Sequence, residues 1–264
     1  MIEIAFAAGL ATVQDGGRPG YMYQGVPPGG ALIPELLSRA NAGARNAADE
    51  AAIEVSGAIT IVARGPVFVA SDDGDARALQ DGDRVTFAGR STPVHYVAVR
   101  GGIDVPRVLG GRGTLVVARL GGHEGRPLRS GDLLRVGDAP PCDRSIPPPF
   151  DVDSSVRVVP GPDLDRFPSG TLDAFLASPF TVDARSDRVG ARLNGPRLEC
   201  ATDPASLSAP MVRGAIQVPP SGQPIVLGPD HPTTGGYAVI ATVVRRHLGP
   251  LAARRVGASV RFVT

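Results

Sequence analysis

Lysine is absent from the 264-residue chain: all 27 basic residues are arginine. This excludes a Schiff-base lysine, a phosphate-gripping Walker lysine and a covalently biotinylated lysine on this polypeptide. Any ATP-driven step or carried biotin then belongs to another chain. Excess charge is missing too. The formal net charge is +1 and the arginines form no stripe interleaved with aromatics, so neither nucleic acid nor an anionic membrane is an expected partner. No apolar run approaches the roughly 20 residues of a membrane span. The opening residues, MIEIAFAAGLATVQDGG, lack the basic start and sustained apolar core of a secretory signal, and Glu3 interrupts them. The cytoplasm is the expected compartment. Cysteine is scarce: Cys142 and Cys200 stand in neither a CxxC nor a disulfide-scaffold pattern. The four histidines, His95, His123, His231 and His247, have no metal-ligand spacing, and no metal site is expected.

What the chain does have is glycine (34) and proline (26), spread throughout, so turns are frequent. A hydrophobic content of 42% with 20% charge is that of an ordinary globular protein. The length suits one large domain or two small, closely packed ones. Short β-branched or alternating runs recur at residues 2–6, 53–55, 58–63, 67–70, 84–87, 94–100, 114–119, 133–136, 156–159, 225–227, 239–244 and 259–263. Strands at this spacing, punctuated by Gly, Pro and Asp, predict a mainly β barrel or sandwich. Asp73-Gly74 and Asp81-Gly82 fit hairpin turns. Helix is the minority element, expected at residues 35–47 after Pro34, 170–177 and 245–253.

An internal echo links VRGGIDVP at residues 99–106 to VRGAIQVP at 212–219, each joining a β-run to a Gly/Pro loop. It makes two related β-barrel halves plausible. The Pro-rich segment 139–150 is the natural connector, dividing the chain into residues 1–140 and 141–264.

Residues 214–242, GAIQVPPSGQPIVLGPDHPTTGGYAVIAT, are the most informative stretch. Two apolar β-runs flank a Pro-Pro-Ser-Gly turn, and a Gly- and Thr-rich loop comes next. Gln217, Gln223, Asp230, His231, Thr233, Thr234 and Tyr237 stand on that rigid frame, with Gly235 and Gly236 permitting close approach of another group. A second polar set, Gln14, Asp15, Arg18 and Tyr21, sits among glycines near the N-terminus. There a turn-rich barrel entry with a structural Asp–Arg pair is an equal alternative to a ligand site.

TVQDGGRPGY (12–21) followed by GVPPGGA (25–31) resembles the start of the carboxyltransferase-type family of allophanate hydrolase subunit 2 proteins. That family includes the C subunit of 5-oxoprolinase, the KipA-like antagonist of a sporulation kinase inhibitor, and a portion of urea carboxylase. RGGIDVPRVLGGRGT (100–114), EGRPLRSGDLL (124–134), PGPDLDRF (160–167), SDRVGARLNGP (186–196) and the 214–242 stretch continue the match in family order along essentially the whole chain. The resemblance implies cyclophilin-like β-barrel subdomains with a few short helices. It implies a subunit 1 type partner (the KipI-like B subunit of 5-oxoprolinase), with a third lactam-utilisation-type subunit in the 5-oxoprolinase version. There the complex uses ATP to open the 5-oxoproline lactam. In the urea carboxylase version biotin is carried on a partner, and a non-catalytic partner-binding protein is a further alternative. No cofactor is expected to be bound covalently to this chain.

The resemblance also carries site residues. Asp230 is the leading candidate general base, with Gln217, Thr233 and Thr234 as catalytic donors. Gln14, Arg18, Arg100, Asp104, Arg188, Gln223, Gly235, Gly236 and Tyr237 are the candidate substrate-binding residues, the arginines as forks for a carboxylate. For the Ser186–Asp187–Arg188 motif, structural pairing is the favoured reading. The chain departs from the family pattern at Ile33, Ala191, His231, Pro232 and Val239, where an acid, a tyrosine, a basic and an amide residue, and a lysine are usual.

Overall fold

A computed structural model describes residues 1–152, 155–200 and 207–264. They form two compact units. The first comprises residues 1–19 and 29–149, the second 20–28 and 150–264, so the principal division falls between Pro149 and Phe150.

In the first unit the strands are β1 (Ile2–Ala7), β2 (Ala11–Gln14), β3 (Ala52–Val55), β4 (Ile59–Ala63), β5 (Val67–Ser71), β6 (Ala76–Leu79), β7 (Arg84–Phe87), β8 (His95–Val99) and β9 (Leu133–Leu134). They build a four-stranded sheet, β7-β4-β1-β9, and a five-stranded sheet, β2-β3-β8-β5-β6. An apolar core in this unit has Ile2, Ile4, Ile53, Ile59, Ile61, Val97 and Val99 fully buried. Helix α1 (Pro34–Gly43) starts with Pro34, whose fixed φ and missing N–H suit a first helical position. It stops short of the expected residue 47 because Arg45 takes a left-handed φ of 60°.

Two local expectations fail here. Asp81-Gly82 is not a hairpin turn: β6 pairs with β5 and β7 with β4, so the turn carries the chain from one sheet to the other. Residues 114–119 do not form a strand. They close a loop with a 3-10 turn over Val116–Ala118, bridged by Leu115 and Leu120. Leu115 is buried while Val117 is 83% exposed, because no strand lies beside this run to cover it.

The second unit is built around β10 (Val156–Pro160), β11 (Phe180–Val182), β12 (Gly190–Asn194), β14 (Ala215–Val218), β15 (Ile225–Leu227), β17 (Ala238–Val243), β18 (Ser259–Val260) and β19 (Phe262–Val263). The short strands β13 (Ala209–Pro210) and β16 (Thr234–Gly235) pair separately. The eight-stranded order is β18-β11-β12-β15-β14-β17-β10-β19. Its two end strands are separated in the chain by Arg261 alone, so the sheet curls into a nearly closed barrel. Phe175 on helix α2 (Thr171–Ala177) stacks against Phe262, with ring centroids 4.7 Å apart, and plugs the apolar core. The third expected helix is split into a 3-10 turn at Arg245–His247 and α3 (Leu248–Ala252). The β14–β15 hairpin forms as read, with Ile216 opposite Val226. The echoed glycines share a conformation: Gly101 and Gly214 have φ of 92° and 90°. Beyond them the two segments diverge, because Ile103 makes a single bridge whereas Ala215 opens a full strand.

Candidate functional site

In the second unit the candidate residues gather around the loop joining β15 to β17. The β14–β17 ladder slips by one residue between Ile216 and Gln217, and Gln217 faces Val239 beside that bulge. A bulge re-aims a side chain. The Gln217 carboxamide is buried, its Nε2 3.4 Å from the Tyr237 carbonyl and 3.2 Å from Met211 Sδ. A Cβ at position 235 would sit 2.8 Å from that nitrogen, so a glycine is needed for the amide to lie there. Met211 N–H donates to the Thr233 carbonyl at 2.9 Å, tying the loop back to the barrel. Thr233 is half-buried, Thr234 and Tyr237 are exposed, and neither threonine hydroxyl has a hydrogen-bond partner among the described residues. One carboxamide, two hydroxyls and a phenol are thus carried on this loop and the strand beside it.

Two residues in this frame carry no role in the sequence reading. The Asp163 carboxylate accepts the Val239 N–H at 2.8 Å, and Arg166 Nη1 donates to the Gly236 carbonyl at 3.4 Å. Residues 236–239 are thereby fastened at both ends to the PGPDLDRF motif. The available signal was the motif itself, with an acid and an arginine three residues apart after a Gly-Pro turn.

Asp230 is not an open carboxylate. Arg188 grips it with both prongs, Nε to Oδ2 at 2.8 Å and Nη2 to Oδ1 at 3.0 Å, and the Asp230 N–H donates to the Arg188 carbonyl. The two side chains are 10% and 9% exposed. A carboxylate so held accepts a substrate proton poorly, and the fork holding it is equally engaged. The pair braces the loop. His231 is fully buried, and burial lowers its pKa, leaving the ring neutral at pH 7. Its Nδ1 lies 2.8 Å from the Pro232 carbonyl and therefore carries the proton, while Nε2 has no partner among the described residues. Gln223 lies apart, its carboxamide closed on the backbone of Gly195 at 3.0 and 3.2 Å.

Gln14, Arg18, Arg100 and Asp104 belong to the first unit. Gln14 is fully buried and donates to Thr12 Oγ1 and the Thr114 carbonyl. Asp15 accepts the N–H groups of Gly17, Arg112 and Gly113, stitching two glycine-rich loops together. Arg18, 1% exposed, donates to the carbonyls of Val108 and Gly113 rather than reaching a surface. Arg100 lies over the Phe68 ring at 4.2 Å and reaches the Ala44 carbonyl. Asp104 pairs with Arg112 at 3.3 Å. In this unit the candidate side chains hold the backbone in place.

Cys142 and Cys200 are free thiols. Among the described residues no group of three or more His, Cys, Asp or Glu side chains could hold a metal ion, and no helix is long and apolar enough to cross a membrane.

Comparison with known proteins agrees with the resemblance carried by the motifs. The chain is 34% identical to the C subunit of 5-oxoprolinase from Escherichia coli, over 100% of this chain and 91% of that one. The protein of the same name in Haemophilus influenzae is 32% identical over 99% and 90%. The crystal structure of Kluyveromyces lactis urea carboxylase superposes with a TM-score of 0.89 at 25% identity, over 99% of this chain but 27% of that much longer one. Residues 24–264 match the family model described as carboxyltransferase domain, subdomain A and B, and the chain belongs to that family.

Proposed function

We propose that this chain is the C-type subunit of an ATP-dependent 5-oxoprolinase. In this reading it works in the cytoplasm with a B-type (KipI-like) partner and a third lactam-utilisation-type subunit to open 5-oxoproline to glutamate. The observation that carries the reading is the end-to-end match to the Escherichia coli protein. The lack of lysine supports a division of labour in which the partners handle ATP. Gln217, Thr233 and Thr234 engage the lactam amide and the oxyanion that develops on its carbonyl, with Gly235, Gly236 and Tyr237 shaping the approach. Asp230, gripped by Arg188, sets the loop instead of abstracting a proton.

Reconstitution with the partner subunits tests this. ATP-dependent glutamate release is expected, and Gln217→Ala should lower it about tenfold or more with the fold intact. No turnover by a complete, folded complex would overturn the reading. The likeness to urea carboxylase favours a second reading, a carboxyltransferase module served by biotin on a partner. Absence of any biotinylated protein from the purified complex would count against it.

A further inference from the structure

The first unit contains a cleft of about 410 Å³ enclosed by the loops 104–108 and 121–125 and by β9 with Arg135. Its size falls in the range of small-molecule sites, and Val105, Val108 and Leu134 give it apolar walls. The polar groups at its edge are unequally matched. Asp104 is paired with Arg112 at 3.3 Å and Glu124 with Arg126 at 2.9 Å. Arg135 is exposed, lines the cleft and makes no ion pair among the described residues. Arg135 is thus the one guanidinium lining the cleft, and it carries no carboxylate of its own among the described residues.

The remaining wall is stiff. Asp132 takes both prongs of Arg126 at 2.7 and 2.8 Å and the Arg129 N–H at 2.9 Å. That fixed carboxylate lies 3.5 Å from His123 Nε2, so the imidazole lining the cleft is steered rather than loose. Gly121, Gly122, Gly125 and the non-glycine Glu124 are all left-handed, with φ between 56° and 67°. A Cβ on Gly122 would lie 1.9 Å from Thr114 Oγ1, so the loop is pressed flat against the barrel and leaves the cleft open. The glycines take these angles without strain, whereas Glu124 at a φ of 56° is a non-glycine outlier of the kind that clusters at functional sites.

We propose that this cleft binds a small carboxylate with an apolar body, the carboxylate on Arg135 and the body against Val105, Val108 and Leu134. The site stands apart from the lactam-opening reading, since binding here needs neither ATP nor partners. The test is NMR titration of the full-length chain with cyclopentanecarboxylate and with its neutral carboxamide. Saturable shifts at the His123 ring and the 121–125 amides are expected, with the carboxamide and the Arg135→Gln variant each binding about tenfold more weakly or worse. Arg135 is exposed, so the variant keeps its fold, which an unchanged spectrum elsewhere checks. Equal binding of the carboxamide, an unchanged dissociation constant in Arg135→Gln, or no saturable shift in this loop would each overturn the proposal.

Discussion

Replacing Arg188 by alanine leaves the Asp230 carboxylate 9% exposed with neither prong of the guanidinium that holds it. Breaking a buried pair from one side costs about 3–5 kcal/mol, because the surviving charge stays desolvated. The slight exposure of both groups and the retained Asp230 N–H to Arg188 carbonyl bond put the expected loss at the lower end, about 3 kcal/mol. Urea denaturation followed by far-UV circular dichroism reads this as a midpoint lower by about 1–2 M, without change in slope. Asp230→Asn should also lower the midpoint, because the carboxylate that takes both prongs of Arg188 is lost. The double variant Arg188→Met, Asp230→Leu removes both charges and keeps the bulk, and it should lie closer to the parent than either single variant. A loss below about 1 kcal/mol in Arg188→Ala would refute the reasoning, since that is what an exposed, replaceable ion pair is worth.

Gly235→Ala places a methyl 2.8 Å from Gln217 Nε2 and 3.3 Å from Met211 Cγ, and overpacking of this kind costs about 1–3 kcal/mol. The variant should melt lower and show faster hydrogen exchange at residues 235–239 by mass spectrometry. Gly122→Ala should be worse, because the added Cβ meets Thr114 at 1.9 Å at a φ of 56°, and soluble expression will report it. Acid should weaken the first unit in a defined window. Arg126 beside Asp132 and Arg90 beside Asp73 hold both carboxyls down to about 2, below their unfolded values near 3.8. A depressed folded pKa gives stability that is present above the unfolded value and lost as pH falls through the folded one. Urea midpoints should therefore drop between about pH 4 and pH 2, and Asp132→Asn should flatten that drop.

Local chemistry was readable from the sequence where neighbours in the chain decide the outcome. Pro34 announced α1, and the turn ending in Gly222 announced the β14–β15 hairpin. It failed where the outcome depends on what lies alongside. Residues 114–119 have the apolar content of a strand, yet nothing in the sequence tells whether a neighbouring strand exists to pair with them. Asp81-Gly82 turns the chain tightly, but the strand after it pairs with β4 rather than with its immediate predecessor. The candidate loop shows the same limit. Its polar residues were legible as a set, whereas the Arg188–Asp230 brace spans 42 residues and the Asp163 anchor 76. Distances of that kind are set by sheet order, so a residue read as a free base emerges as one half of a clasp.

The seam of the second unit carries a consequence for how the chain is made. Val156 pairs with Phe262 at one edge of the sheet and Phe180 with Val260 at the other. One short stretch, Ser259 to Val263, therefore fastens both sides of the barrel, like a zip pull shared by two rows of teeth. Until those residues have left the ribosome neither edge is covered, and the longest-range pairings of the unit form last. A stalled or clipped chain lacking them would expose two open strand edges at once, on β10 and β11, which are surfaces to which unrelated chains adhere.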